Sequence, residues 1–304
     1  MIVKLKYLFK RFLHYLKKRD FKNVIYKSFT TLSGNNKIDL DKLNFENNTN
    51  LDELFLRFGS DKGKFDGKKT YDHLVSEKDI KFKNYDEWIK RVNVYNFKYQ
   101  LGNNFTNIYE KTFKDLKNKN INFLEIGVAN GHSIASWYKY FPNAIINGID
   151  IKKKDKLFYK GERLNYSSVD CFNQKKVNSF LRKNNKFDII VDDSSHTYPG
   201  FFYNLKNFYK HLKNGGIYIL EDFRTNDRER KLSQKFNQEY GGSFLQRDKY
   251  TVEDVFNFIL KKEKFKHPIL TSSDIDFIFD NTKKSTIINT EHPDGSLAIL
   301  FRND

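Results

Sequence analysis

Two apolar runs of this chain end in paired acids. The stretch FDIIVDDSSHTYPG (187–200) carries strand-forming residues into Asp192, Asp193, two serines and His196, and GGIYILED (215–222) ends in Glu221 and Asp222. If both runs are neighbouring strands of one sheet, their backbones lie about 4.8 Å apart. Carboxylates crowded at those ends repel and raise one another's pKa unless a cation sits between them. Oxygen ligands without thiolates favour magnesium, manganese or calcium over zinc. A hard cation that also touches a substrate hydroxyl lowers that hydroxyl's pKa, and His196 is the residue type to take the proton. The competing reading is that Asp193 or Ser195 caps the next helix and His196 is an incidental loop residue.

A third apolar run ends in LEIGVANG (124–131), where Glu125, Gly127 and Gly131 form an acid-x-Gly-x-x-x-Gly pattern. Glycines there let the backbone turn tightly and approach a ligand, and a following helix start, with Ser133 available as a cap, presents free amides. The dinucleotide fingerprint G-x-G-x-x-G, which crosses a pyrophosphate, is absent at this turn. A carboxylate before the first glycine suits a ligand with an ammonium group and no phosphate, such as S-adenosylmethionine. Nineteen residues after Gly131 stands Asp150, placed to accept ribose hydroxyls, and Asp170 ends the next run, placed to accept from an adenine amino group.

These residues need a scaffold that gathers strand ends. INFLEIG (121–127), AIINGIDI (144–151), LNYSSVD (164–170), FDIIVDD (187–193) and GGIYILED read as five strands, separated by helical stretches such as SIASWYKYF and FFYNLKNFYKHL. Strands that are nearly apolar throughout and alternate with helices indicate a parallel sheet covered on both faces. DIDFIFD, STIINT and SLAILFR read as further strands, forming an antiparallel edge. The expected fold is α/β, a Rossmann-like doubly wound sheet, mostly parallel with an antiparallel C-terminal edge, plus an N-terminal helical cap. The expected organisation is a basic amphipathic arm and linker over 1–50, a helical cap or substrate region over 51–120 and the main domain over 121–304. Within the first segment, residues 31–50 are Asn-rich and weakly periodic and read as loose coil.

The formal net charge is +17, unevenly spread. Residues 1–30 carry nine Lys or Arg against the single Asp20, a net +8, which leaves +9 for the other 274 residues. Leu5, Leu8, Phe9, Phe12, Leu13 and Leu16 recur at helical spacing, with the lysines largely off that stripe. Such a helix suits an anionic membrane surface; packing on its own domain or on a second subunit is the equal alternative. No nucleic-acid-binding motif accompanies the charge. Cys171 is the only cysteine, so no intramolecular disulfide and no cysteine-based zinc cluster forms. No run approaches the roughly 18 apolar residues of a membrane span, and the N-terminus shows no cleavage-site pattern. A cytoplasmic protein, peripheral at the inner membrane if the arm binds lipid, is the expectation.

With these residues assembled, the chain resembles the class I S-adenosylmethionine-dependent methyltransferases. More narrowly it is similar to the metal-dependent sugar O-methyltransferases of macrolide tailoring, of the macrocin and mycinamicin type, a group related to the cephalosporin hydroxylase-like proteins. The matching stretches are FGSDKG (58–63), IYEKTF (108–113), FLEIGVANGHSIASWYKYFPNAIINGIDI (123–151), VDDSSH (191–196), GGIYILED (215–222) and YGGSF (240–244). The resemblance implies magnesium (or manganese) on Asp193, Glu221 and Asp222, His196 as general base, and Glu125, Gly127, Gly131, Asp150 and Asp170 around S-adenosylmethionine. Asp192 receives no role. The chain departs from the family pattern at Ser194, where a glycine is usual, and at Asn103, Asn104 and Phe105, where relatives often carry His-Gly-Tyr. It also has an insertion over about 64–103, where acceptor specificity is expected to lie.

The resemblance implies a magnesium-dependent O-methyltransferase acting on a sugar hydroxyl, of a surface polysaccharide or a nucleotide- or lipid-linked sugar. The alternatives are a hydroxylase-like or other small-molecule-modifying enzyme on the same scaffold, or a non-catalytic nucleoside-binding protein. The expected partners are a sugar or glycan acceptor, an anionic membrane surface through residues 1–30, and further copies of the chain in a homo-oligomer; nucleic acid is not expected.

Overall fold

Alternate residues of the central strands point to opposite faces, and both faces are apolar. In the computed structural model, which describes residues 37–45, 49–58, 60–63, 102–152, 157–224, 227, 250–292 and 295–304, this pattern builds a three-layer α/β fold. In chain order the elements are β1 (Ile38–Asp39), α1 (Leu51–Phe58), α2 (Thr106–Phe113), β2 (Asn122–Ile126), α3 (His132–Tyr140), β3 (Ile145–Asp150), β4 (Tyr159–Lys160), β5 (Leu164–Ser168), α4 (Gln174–Lys183) and β6 (Phe187–Asp192). They continue with α5 (Tyr198–Phe208), β7 (Leu212–Glu221), α6 (Val252–Lys261), α7 (Ser272–Asn281), β8 (Thr282–Asn289) and β9 (Ser296–Arg302). The described main sheet has seven strands in the order β5-β3-β2-β6-β7-β9-β8. The first five are parallel, and β9 and β8 close the edge antiparallel. This is the expected doubly wound sheet with its antiparallel C-terminal edge.

The strand alternation divides the core in two. Phe123, Ile189, Val191, Ile217 and Ile219 meet α1, α2 and α3 on one face, while Leu124, Ile126, Ile190, Tyr218 and Leu220 meet α4, α5, α6 and α7 on the other. Trp137 of α3 is fully buried among Phe55 of α1, Tyr109 and Phe113 of α2 and Phe123 of β2. The helices of the 51–120 segment therefore share one hydrophobic cluster with the sheet.

Two expectations fail locally. DIDFIFD lies inside helix α7, not in a strand. Its Ile275, Phe277 and Phe279 mimic a strand's alternation, but Thr271 and Asp274 form a reciprocal capping box that starts a helix, and Ile275, Ile278 and Phe279 are its buried face. The loose coil expected over 31–50 is also partly ordered. Ile38–Asp39 pairs in parallel with Tyr159–Lys160, a 3-10 turn follows, Leu40 is fully buried, and Asp41 accepts from Tyr138 Oη. The basic arm of residues 1–30, residues 64–101 of the insertion expected over about 64–103, and YGGSF lie outside the described residues. Among the described residues, no helix is long and apolar enough to cross a membrane.

Asp274 gives the fold a pH-dependent element away from the strand ends. Burial alone would raise its pKa, but Lys210 at 2.7 Å, Thr271 and Lys206 at 3.3 Å outweigh it and hold the carboxyl well below the ordinary value. A depressed folded-state pKa contributes stability above the unfolded value of about 3.9, lost as pH falls through that range. Asp274→Asn should therefore cost about 1–3 kcal/mol at pH 7. Urea melts at several pH values check this: the gap to wild type should narrow as pH falls below about 4.

Candidate active site

The chain leaves β2 toward β3 and β5, then crosses back to add β6 and β7, so strand order reverses between β2 and β6. Ligands in such sheets bind beyond the carboxyl ends of the strands at that reversal. A cavity of about 410 Å³ opens there, walled by Gly127 and Ala129 after β2, Asp150 and Ile151 at the end of β3, Asp170 and Phe172 after β5, Asp193 and His196 after β6, Tyr203 of α5, and Asp222 after β7. Gly127 has φ +88°, and a Cβ on it would stand 2.1 Å from the Asp193 carbonyl oxygen, so only glycine lets the β2 and β6 ends come this close. Ala129, His196 and Asp222, all on the cavity wall, hold φ of +49°, +52° and +56°. Non-glycine residues in the left-handed region each cost on the order of 1 kcal/mol, and such strain gathers at functional sites.

The residues expected around a nucleoside divide into two groups. Gly127, Asp150 and Asp170 line the cavity. Asp150 accepts from the amides of Ala129 (2.8 Å) and Lys152 (2.9 Å), one per oxygen, and Asp170 accepts from the Phe172 amide at 3.0 Å. A carboxylate has about four lone-pair positions, so both acids keep acceptor capacity. Ile151 and Phe172 are 70% and 56% exposed at the mouth, a surface suited to a flat apolar ring. Glu125 and Gly131 are not among the cavity residues. Gly131 precedes α3 with φ +92°, and Ser133 does not cap that helix; its hydroxyl donates to Glu125 at 2.9 Å instead. The free helix-start amides expected there thus lack the serine cap.

The acid cluster lies at the other side of the cavity. Ligand atoms of Asp193, His196 and Asp222 all fall within 4.8 Å of one another. Asp193 Oδ1 is 2.9 Å from His196 Nε2, and Asn103 Nδ2 donates to Asp222 Oδ2 at 3.0 Å. Asp222 Oδ1 is buried and has no hydrogen-bond partner among the described residues. Burial, then the Asp193 charge, pushes the Asp222 carboxyl up to about 7. An oxygen-rich set with one orphaned buried carboxylate oxygen fits a hard divalent cation. Glu221 stands outside that group: it is fully buried, with Tyr109 Oη on one oxygen and Lys62 Nζ on the other. Asp193 and Ser195 do not cap α5, because Thr197 does, which removes the helix-cap reading of this stretch.

Lys62 lies in the matching stretch FGSDKG, but sequence reasoning assigned it no role. Its ammonium, 1% exposed, donates to Asp193 Oδ2 at 2.6 Å and to Glu221, and lies 3.4 Å from Glu125 Oε1. It is held by its backbone: the amides of Asn103, Asn104 and Phe105 donate to the carbonyls of Asp61, Gly63 and Lys62 at 2.7, 3.1 and 2.9 Å. Burial alone would favour the neutral amine, yet Asp193, Glu221 and Glu125 outweigh it and raise the lysine pKa well above its ordinary value. Glu125 is pushed by burial up to about 7, against the pull of Lys62. Both Glu125 and Asp222 are shifted upward by burial and by neighbouring carboxylates, as in a cluster that one ammonium does not balance.

Asp192, the unassigned acid, is structural. It is fully buried and accepts from Asn204 Nδ2 (3.0 Å) and Tyr218 Oη (2.8 Å). Asn204 also donates to Ser194 Oγ at 2.9 Å, so the serine in the usual glycine position ties the 193–196 turn to α5. Burial pushes the Cys171 thiol up to about 12, which leaves it an inert wall residue.

Comparison with known proteins agrees with the resemblance read from the motifs. No family model matches the chain. It is 30% identical over 128 residues to the mycinamicin VI 2''-O-methyltransferase of Micromonospora griseorubida, covering 40% of this chain and 32% of that protein. It is 27% identical to the demethylmacrocin O-methyltransferase of Streptomyces fradiae, again over 40% of this chain and 32% of the relative. The matched stretch thus spans about a third of these relatives' length. Among solved structures, the methyltransferase MycE of the mycinamicin pathway, in complex with Mg, S-adenosylhomocysteine (SAH) and mycinamicin VI, superposes with a TM-score of 0.54. That match has 19% identity and covers 84% of this chain and 55% of MycE. The fold is that of these methyltransferases.

Tyr109→Phe would leave a buried Glu221 oxygen without its donor. The variant should fold and lose about 1–3 kcal/mol of stability, measured as a lowered urea midpoint at unchanged slope.

Proposed function

We propose that this chain is a divalent-metal-dependent O-methyltransferase that uses S-adenosylmethionine and acts on a sugar hydroxyl. One observation carries the reading. A cavity with nucleoside-type acids and an apolar mouth is continuous with a carboxylate–imidazole group whose Asp222 Oδ1 is orphaned. Charge supports it too. Asp193, Glu221 and Glu125 surround the single ammonium of Lys62, and Asp222 and Asp61 face the same cavity, an excess of carboxylates that a divalent ion and a sulfonium would offset.

Asp193 and Asp222 would hold the ion, and Glu221, the third acid expected there, would back Asp193 from the buried side through Lys62. Gly127, Asp150 and Asp170 would seat the nucleoside, with Ile151 and Phe172 against its base. Glu125 would act at one remove, through Lys62 and Ser133. When bound, the ion would supply the charge that acidifies an acceptor hydroxyl, and the sulfonium an electrophilic methyl group. The chain's own contribution is to place and deprotonate the acceptor. His196, fixed by Asp193 and by its left-handed backbone, would accept the hydroxyl proton on its imidazole. Asp192, Asn204 and Ser194 keep that turn in place.

The sugar class is supported by relatives named for glycosylated substrates, such as the L-olivosyl-oleandolide 3-O-methyltransferase of Streptomyces antibioticus. For this chain we infer a surface polysaccharide or a nucleotide- or lipid-linked sugar as acceptor, supported by the net +8 of residues 1–30, which suits an anionic membrane where such glycans are assembled. A screen of nucleotide sugars and glycans with labelled S-adenosylmethionine tests the acceptor.

His196→Ala separates base from ligand. As base, His196 should take turnover down about 10²–10⁴-fold on substitution while S-adenosylhomocysteine and Mg²⁺ affinities, measured by calorimetry, stay near wild type. Unchanged turnover, or a loss of metal affinity that accounts for the whole effect, would contradict the assignment.

A further inference from the structure

The Lys62 ammonium occupies a place that carboxylates alone would offer to a metal. Three acids from three parallel strands converge on it: Glu125 from β2, Asp193 following β6 and Glu221 ending β7. It approaches from the buried side. Neither Lys62, Glu125 nor Glu221 lines the cavity, whereas Asp193 and Asp222 do. Asp193 joins the two sides, giving Oδ2 to Lys62 and Oδ1 to His196.

We propose that Lys62 is a built-in second cation: it permanently fills the inner half of a site that would otherwise be dinuclear, so that the chain takes one divalent ion, on the cavity side. This rests on the metal reading given above. The backbone supports permanence over displacement. Residues 61–63 are pinned to 103–105 by three backbone hydrogen bonds, and a Cβ on Gly102 would stand 2.1 Å from the Gly63 carbonyl oxygen, so the two segments are in close contact beside the lysine. To leave, the ammonium would have to break two hydrogen bonds to carboxylates.

A lysine in this place has a consequence for the chemistry. Two divalent ions a few ångströms apart suit reactions that stabilise both an attacking and a leaving oxygen. Transfer of a methyl group from sulfur to oxygen has only one oxygen to activate. A fixed monovalent cation holds Asp193 in its charged form and orients Asp193 and Glu221 while the second metal position stays closed. Lys62 is thus a positioning residue acting through its carboxylate partners.

The test is Mn²⁺ stoichiometry by calorimetry and electron paramagnetic resonance on the full chain, in wild type, Lys62→Ala and Lys62→Met. Wild type should bind one ion per chain. Lys62→Ala, which vacates the space among three acids, should bind two, with the spectral broadening of neighbouring ions. Lys62→Met, which fills the space without charge, should stay at one. Losing a buried charge partner should lower the melting temperature of Lys62→Ala by about 10 °C. If that variant does not fold without metal, its melting temperature should still rise with Mn²⁺ by more than the wild-type rise. One ion in Lys62→Ala, or an equal Mn²⁺-induced rise in both proteins, would overturn the inference and leave the metal reading standing. No Mn²⁺ bound by wild type would overturn both.

Discussion

The buried contact between Lys62 and the carboxylates of Asp193, Glu221 and Glu125 is the constraint on which the rest of the site depends. An unpaired ammonium in a protein interior costs several kcal/mol, and so does each unpaired carboxylate. None of these four groups is tolerable alone where it stands. Together they fix the carboxyl ends of β2, β6 and β7 to one point and to the 61–63 loop. Tyr109 brings α2 to the same point through Glu221, and Asn103 brings the adjoining loop through Asp222.

The sheet makes this convergence possible. Parallel strands deliver their carboxyl ends to one edge, and reversal of strand order between β2 and β6 opens the cavity there. Close approach of those two ends requires Gly127. The same crowding places Ala129, His196 and Asp222 in left-handed backbone conformations that aromatic packing around Trp137 and the Asp192–Asn204–Tyr218 hydrogen bonds must sustain. Stability is thereby spent on holding acids and an imidazole at one end of the sheet, the arrangement that proton transfer and cation binding require.

Much of this was legible because central strands buried on both faces read as continuous apolar runs, and their ends stand out as acids and glycines. The five parallel strands, the cavity positions of Gly127, Asp150 and Asp170, and the meeting of Asp193 with Asp222 and His196 follow from that pattern. DIDFIFD was misread because alternating Ile and Phe imitate a strand, while its helix start depends on a reciprocal bond between Thr271 and Asp274 that apolar alternation does not report. Lys62 stood within the matching stretch FGSDKG but received no role, for a different reason. It stands 131 residues before Asp193, and a lysine in a strongly basic chain carries no local sign of burial. Glu125 likewise looked like a ligand-facing acid, and only the fold shows it turned toward Lys62 and Ser133.

The central claim is that one divalent cation sits on the cavity side of Asp193 and Asp222 while Lys62 remains in place behind them. A crystal structure with Mn²⁺ and S-adenosylhomocysteine, located by anomalous scattering, addresses it most directly. The account predicts a single ion held by carboxylate oxygens of Asp193 and Asp222, with Lys62 Nζ still bonded to Asp193 and Glu221. An ion in the position of the ammonium, with Lys62 turned away, would contradict it.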